Sequence, residues 1–340
     1  MSRELWFLCV CLLILLTACS QGKTKSQGKP LRWVTKKEAL EYLTHGMTDM
    51  SQFHSNHLDP MLVERISGTP ANTRVKEHIV KRMKDLGWTV EEDTFEDDTP
   101  FATQNPDRAK RVVLACHYDS KDFRTKEKKE FIGAIDSAVP CAILLETAKQ
   151  LDCLLRKGPK EKSAGEELTL QLVFFDGEEA FEHWTATDSI YGARHLAAKW
   201  ERESQLSKIR ELILLDLIGT RDTRFISHFD STNQLYEHLM KVENHLRNNN
   251  YLTGRHRETI FTSNRGFGRG GIQDDHIPFL RRGVDVLHLI STPFPTVWHQ
   301  TSDNGSNLDD DLIDDFSRIF RVFVSNLLHL SPEKIGCRKK

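Results

Sequence analysis

Residues 170–184 read Leu-Gln-Leu-Val-Phe-Phe-Asp-Gly-Glu-Glu-Ala-Phe-Glu-His-Trp. The stretch begins as an apolar run with the composition of a buried strand and stops at Asp176-Gly177, a turn signal. Two adjacent acids follow, Glu178 and Glu179. A strand that ends in paired acids puts charge at a sheet edge, where open α/β folds place their ligands. Neighbouring residues point in different directions, so one acid can bind a metal while the other faces a substrate and moves protons. A solvated acidic turn after a core strand has the same local signature, since acids are mostly exposed.

Outward from this stretch, strand and helix patterns alternate. Strands are predicted at 88–95, 111–116, 168–175, 212–218 and 284–290. Helices are predicted at 70–86, 137–151, 188–200 (with Asp188 as N-cap), 232–248 and 308–330. Alternation of this kind predicts an α/β sandwich with a mostly parallel central sheet. Three longer irregular segments, 154–167, 250–271 and 291–307, have the length of functional loops.

The chain has 340 residues, 39% hydrophobic and 28% charged, with a net charge of −2. Those proportions exclude a disordered chain, and the absence of a basic excess argues against nucleic acid as a partner. The N-terminus stands apart. An apolar run from Leu5 to Leu16 precedes Thr17-Ala18-Cys19-Ser20, the layout of a signal peptide over 1–19 and too short for a stable membrane span. Leu16-Thr17-Ala18-Cys19 also fits a bacterial lipoprotein box. Residues 20–30 read as a flexible leader, and 31–335 as a single catalytic domain. The expected location is secreted, with Golgi retention if the signal stays uncleaved. Of seven cysteines, Cys116, Cys141, Cys153 and Cys337 lie beyond the leader. Cys116–Cys141 is the preferred disulfide in an oxidising compartment, although spacing alone does not separate it from two buried thiols.

Several polar residues fall just after predicted strands. His117-Tyr118-Asp119 follows the first parallel strand, and Asp216 interrupts an otherwise apolar run, where a lone carboxylate must be paired, metal-bound or protonated. Asp136 sits at the mouth of a helix, where a plain N-cap is the commoner role. Asp274 follows a glycine-rich loop, His288 lies within a strand, and His299 follows a proline-rich segment. Asp136, Glu179 and His299 together offer two carboxylates and one imidazole, a set that zinc accepts with a fourth position open.

Five segments, in order, carry a family resemblance: 115–121 (Ala-Cys-His-Tyr-Asp-Ser-Lys), 133–141 (Gly-Ala-Ile-Asp-Ser-Ala-Val-Pro-Cys), 174–181 (Phe-Phe-Asp-Gly-Glu-Glu-Ala-Phe), 273–279 (Gln-Asp-Asp-His-Ile-Pro-Phe) and 293–299 (Pro-Phe-Pro-Thr-Val-Trp-His). With them the chain resembles the animal-type secretory glutaminyl cyclases, relatives of the zinc aminopeptidases. The resemblance implies a three-layer α/β sandwich of aminopeptidase type with a mixed, mostly parallel sheet. It implies one zinc per chain, held by Asp136, Glu179 and His299. Glu178 matches the proton-shuttling acid, and Asp216 and Asp274 match active-site acids that share a hydrogen-bond network. Trp184, Ile272, Gln273, Phe294 and Trp298 match the substrate-holding wall, and His288 a residue near it. Cys116 and Cys141 match the family disulfide. The implied reaction converts N-terminal glutamine of peptides and proteins to pyroglutamate with release of ammonia; cyclisation of N-terminal glutamate is left open by the sequence, and the expected form is a monomer.

Two rival readings remain at this level. His117, Asp119 and Asp216 offer a second metal site, as in a two-zinc aminopeptidase. The polar stretch 101–110 shows no strand pattern where the family has a strand, so one sheet strand is expected to be missing near 100–110. Unpaired neighbours there would favour an inactive secreted binding protein on the same scaffold.

Overall fold

The apolar runs become the inner strands of one sheet because they are buried on both faces. A computed structural model describes residues 33–34, 36–44, 49–94, 98–106, 110–123, 130–157, 168–255, 258–266, 271–330 and 337. These fall within the compact unit Leu31–Lys340. The predicted signal peptide at 1–19 and leader at 20–30 lie outside the described residues. Among the described residues, no helix is long and apolar enough to cross a membrane.

The strands are β1 (Thr89–Thr94), β2 (Asp98–Thr103), β3 (Lys110–His117), β4 (Leu168–Phe175), β5 (Ile209–Asp216), β6 (Phe225–Ser227), β7 (Phe261–Arg265) and β8 (Val286–Ile290). The helices are α1 (Lys37–Leu43), α2 (Met50–Phe53), α3 (Pro70–Asp85), α4 (Val139–Lys157), α5 (Tyr191–Arg202), α6 (Asn233–Asn248), α7 (Ile277–Leu280) and α8 (Asp310–Leu327). The main sheet has the order β1-β2-β4-β3-β5-β8. Its β4-β3-β5-β8 part is parallel, and β1-β2-β4 is antiparallel. Strands β6 and β7 form a small parallel pair of their own.

The period-two alternation of the strands separates the two faces. Val112, Leu114 and Cys116 of β3, with Leu170, Leu172 and Phe174 of β4, pack in the larger core with α3, α4, α6 and α8. Val113, Ala115, Val173 and Phe175 face the other way, onto Ala193, Leu196 and Trp200 of α5 and Phe279 of α7. The result is the expected three-layer sandwich. Local rules hold where the sequence marks them: Thr69 accepts the Asn72 N–H and Pro70 opens α3, while Asp309 caps α8 through the Leu312 N–H at 3.0 Å.

Three expectations are corrected. The strand position near 100–110 is filled. β2 sits between β1 and β4, with Phe101, Ala102 and Thr103 opposite Val173, Leu172 and Gln171. The Gln104 and Asn105 N–H groups extend the contact to the Leu170 carbonyl and the Thr169 hydroxyl. The strand is short and carries Pro100, which hid it, but Pro100 lies outside the stretch paired with β4. Gly192, at the start of α5, admits this close packing, since a Cβ there would lie 2.3 Å from Thr99 Oγ1.

The second correction concerns Asp188, which does not cap α5. The helix begins three residues later, and Ile190 occupies the N-cap position without a side-chain bond. The third concerns the disulfide. Cys116 and Cys141 are buried free thiols with sulfurs 2.9 Å apart, and the Cys141 thiol donates to the His117 carbonyl. The bond joins Cys153 of α4 to Cys337, with Cα atoms 6.1 Å apart. Pairing depends on tertiary proximity across 184 residues of sequence, which spacing does not encode.

Peptide mapping under non-reducing conditions is therefore expected to recover a Cys153–Cys337 linkage, with Cys116 and Cys141 alkylated only after unfolding. Closing so long a loop constrains the unfolded chain, so Cys153→Ser should cost about 2–5 kcal/mol and lower the melting temperature. A map without the Cys153–Cys337 crosslink would contradict this assignment.

Candidate active site

The parallel strands deliver their C-terminal residues to one edge of the sheet. His117 closes β3, Asp216 closes β5, and Glu178-Glu179 follow the turn after β4. Asp136 comes from the 134–138 turn that leads into α4, and His299 from the loop after β8.

The turn after β4 is fixed by two buried carboxylates. Asp176 accepts the Asn72 amide (2.9 Å), the Tyr118 hydroxyl (2.9 Å) and the Gly177 N–H (3.0 Å). Asp119 accepts the N–H groups of Glu178 and Glu179 with one oxygen each, both at 3.1 Å. Asp119 also lies 3.3 Å from His117 Nδ1. Charge-assisted bonds to backbone donors satisfy a buried carboxylate and hold the two acids in fixed, different directions.

The 134–138 turn is braced by Arg65, whose fully buried guanidinium donates to the carbonyls of Tyr118 (2.6 Å), Gly133 (2.8 Å), Ile132 and Asp136 (3.2 Å). Gly133 is required here: its φ is +62°, and a Cβ would meet the Asp136 carbonyl oxygen at 2.3 Å. The Asp303 carboxylate accepts the Ile135 N–H at 2.8 Å.

Asp136, Glu179 and His299 converge, with one ligand atom from each lying within 4.8 Å of the others. His299 Nε2 is 3.3 Å from Glu179 Oε1 and 3.5 Å from Asp136 Oδ2. Lys121 Nζ holds the other Glu179 oxygen at 3.0 Å. Two carboxylates and an imidazole in a mostly buried pocket suit a borderline divalent ion such as zinc. A second group, His117, Asp136 and Asp216, shares Asp136 with the first. His117 Nε2 lies 3.0 Å from Asp136 and 3.6 Å from Asp216.

Behind these groups lies an acid cluster. Burial, reinforced by Glu179, Asp274 and Asp275, pushes the Glu178 carboxyl well above the usual carboxylate range, against the opposing pull of His117. Burial and the neighbouring Asp274 and Asp136 carboxyls push Asp216 up to about 7. Asp274 is raised as well, chiefly by burial. The Ser137 hydroxyl donates to Asp216, and His288 bonds Asp274 at 2.7 Å. These shifts belong to the metal-free protein, and a bound dication would lower nearby carboxyls.

The aromatic side chains named from the sequence have partners of their own. Trp184 Nε1 donates to Gln273 Oε1 at 3.2 Å. The Phe294 and Trp298 rings meet edge to face at 4.8 Å, and Trp298 stacks on His299 at 4.0 Å. Ile272 and Phe294 rest against Ile135, Leu217 and Ile290. Trp184 and Trp298 remain 39% and 36% exposed. His288 stands apart from these side chains, buried in β8 behind Asp274. Sequence reasoning assigned no role to Arg65, Lys121 or Ser137. Lys121 and Ser137 lie inside the quoted motifs, but Arg65 has no local pattern that would betray a buried guanidinium.

The chain is similar to proteins of known family. The model of peptidase family M28 matches residues 101–324. The glutaminyl-peptide cyclotransferase of Bos taurus is 44% identical over 303 residues, covering 83% of this chain and 84% of that protein. That of Drosophila melanogaster is 43% identical, covering 81% and 80%. The crystal structure of Macrostomum lignano glutaminyl cyclase superposes with a TM-score of 0.79 at 37% identity, covering 90% of this chain and all of that one. A zinc-dependent exopeptidase of Parabacteroides distasonis, 20% identical with a TM-score of 0.64 over 81% of this chain and 98% of that one, shares the fold.

The charge on His299 yields a prediction. Burial disfavours the imidazolium, but hydrogen bonds to Asp136 and Glu179 outweigh burial and raise its pKa to about 9. In the metal-free protein this pairing adds stability below about pH 6.5, and the contribution is lost as pH rises through about 9. A metal needs the neutral ring, so binding must displace that proton. Affinity measured by chelator competition should rise about tenfold per pH unit between pH 6.5 and 8.5; a flat profile would refute the pairing.

Proposed function

We infer what this chain does from a plain premise: it belongs to peptidase family M28 and, within it, to the glutaminyl-peptide cyclotransferases. It is an enzyme that converts N-terminal glutamine to pyroglutamate with release of ammonia. The observation that carries the reading in residue terms is Glu178, a buried carboxyl with a raised pKa beside the Asp136–Glu179–His299 triad.

The reaction is intramolecular. The α-amine nitrogen bonds to the γ-carbonyl carbon while the carbon–nitrogen bond of the side-chain amide breaks, so much of the barrier falls when one conformer is held. Trp184, Phe294 and Trp298 provide flat apolar surfaces for the side chain, and Gln273 fixes the Trp184 indole. Glu178 takes the proton of the attacking amine and returns it to the departing nitrogen, a dual task that favours a pKa near neutrality. Asp216 and Asp274 share protons beside it, with Ser137 and His288 as their hydrogen-bond partners. Asp136, Glu179 and His299 would hold one zinc ion, which supplies polarisation of the γ-carbonyl and stabilisation of negative charge on its oxygen.

The substrates are peptides and proteins with N-terminal glutamine, and N-terminal glutamate is the natural second candidate. One copy supplies the proposed site residues, which supports a monomer. The residue pattern of 1–19 and the Cys153–Cys337 disulfide support a secreted protein that matures in an oxidising compartment.

One observation favours a second reading. The His117–Asp136–Asp216 group shares a carboxylate with the first triad, the layout a two-metal peptide hydrolase needs. Metal analysis separates the two: one ion per chain supports the cyclase, two the aminopeptidase. Mass spectrometry of a peptide with N-terminal glutamine separates them by product. Loss of one ammonia, suppressed by a chelator, is expected, whereas loss of the whole residue would establish the hydrolase. Glu178→Gln should reduce turnover by about 10²–10⁴-fold while the metal stays bound. Normal turnover in that variant would remove Glu178 from the mechanism.

A further inference from the structure

Trp184 is tethered by few contacts of its own. It is 39% exposed and belongs to no apolar cluster among the described residues, and its indole has the single hydrogen bond to Gln273. Its position therefore depends on the backbone of the exposed loop 181–187.

The 181–183 half of that loop is gathered around one side chain, while Thr185 is held by the Asp188 carbonyl, which accepts its N–H at 3.2 Å, and by the Ser189 hydroxyl, which donates to its carbonyl at 2.7 Å. Asp188 Oδ1 accepts the Phe181 N–H at 2.8 Å, and Oδ2 accepts those of Glu182 and His183 at 2.9 and 2.8 Å. The Tyr191 hydroxyl donates to Oδ1 at 3.0 Å. The Asp188 N–H donates to Thr185 Oγ1 at 2.9 Å, closing the ring of contacts from the far side. Burial alone would raise this carboxyl, but the three backbone donors and the phenol outweigh it and bring it down to about 2. The carboxylate is thus charged throughout the neutral range.

The neck of the loop is held separately. The N–H groups of Ile190, Tyr191 and Gly192 donate to the carbonyls of Glu178, Gly177 and Asp176 at 2.8, 2.7 and 3.1 Å. Asp119, not Asp188, grips the N–H groups of Glu178 and Glu179. Loosening Asp188 should therefore free Trp184 without moving the acids or the metal triad.

We propose that Asp188 is a positioning residue for substrate recognition: its carboxylate organises the 181–183 backbone that leads into Trp184, so that Trp184 is preset at the mouth of the site. This rests on the reading of Trp184 as part of the substrate wall. A loop ordered only part of the time weakens apparent binding in proportion to its competent fraction. If order falls to about a tenth, KM for a glutaminyl peptide rises about tenfold in Asp188→Ala, with kcat within about twofold of wild type and metal content unchanged. Asp188→Asn keeps one good acceptor and should fall between, which also covers the case in which the alanine variant fails to fold. Because both residues act through one element, the double variant Asp188→Ala/Trp184→Ala should be no worse than Trp184→Ala alone.

A second readout does not need catalysis. Hydrogen exchange at the amides of 181–183 should accelerate at least about tenfold in Asp188→Ala and Asp188→Asn, while 176–179 stay protected. Unchanged exchange at 181–183, loss of metal, a fall in kcat at constant KM, or multiplicative effects in the double variant would each overturn the proposal. A wild-type protein that cyclised no glutaminyl peptide would defeat the proposed activity alone, and the exchange measurement would still decide whether Asp188 orders the loop.

Discussion

The site depends first on the grip of one buried carboxylate on two backbone amides. Asp119 accepts the N–H groups of Glu178 and Glu179, both at 3.1 Å. A strand has just ended there, so those donors have lost their ladder partners. By supplying acceptors, Asp119 fixes where β4 stops and sends the two acids apart. Glu179 goes to His299 and Lys121, and Glu178 into the acid cluster. One interaction thus sends two chemically identical side chains in different directions, one toward His299 and Lys121 and the other among buried acids.

Such a concentration of buried charge is stable only where each group is met. Asp176 is met by Asn72, Tyr118 and Gly177, and Asp274 by His288. The guanidinium of Arg65, inside the protein, is met by a ring of carbonyls from Tyr118, Ile132, Gly133 and Asp136. Where partners fall short of the charge, burial and neighbouring carboxyls push Asp216 and Glu178 upward in the metal-free protein.

The layers keep these groups in register. β3, β4, β5 and β8 are covered on both faces, so their C-terminal ends shift little relative to one another. The more mobile work falls to exposed loops, and the 181–187 loop shows how a loop is given a preferred shape by a carboxylate that belongs to no regular element.

The sequence by itself determined the α/β alternation, because apolar periodicity is local and strong in segments such as 168–175, where the predicted and observed strand coincide. It also marked Asp136, Glu178, Glu179, Asp216, Asp274 and His299, because buried polar residues at strand ends are conspicuous against apolar runs, and because five ordered motifs carried the family resemblance. Tertiary structure alone decided the rest. The β2 strand was hidden, since six residues containing Pro100 are held by their partners more than by propensity. Asp188 read as a helix cap because an Asp before an apolar helix is locally sufficient for one; only the folded loop shows its oxygens turned back to 181–183. Cys153 found Cys337, and Arg65 came to brace Asp136, through contacts between residues far apart in the chain. Local pattern is set by the chemistry of near neighbours, whereas pairing of distant groups is set by which surfaces the packed layers bring within bonding distance.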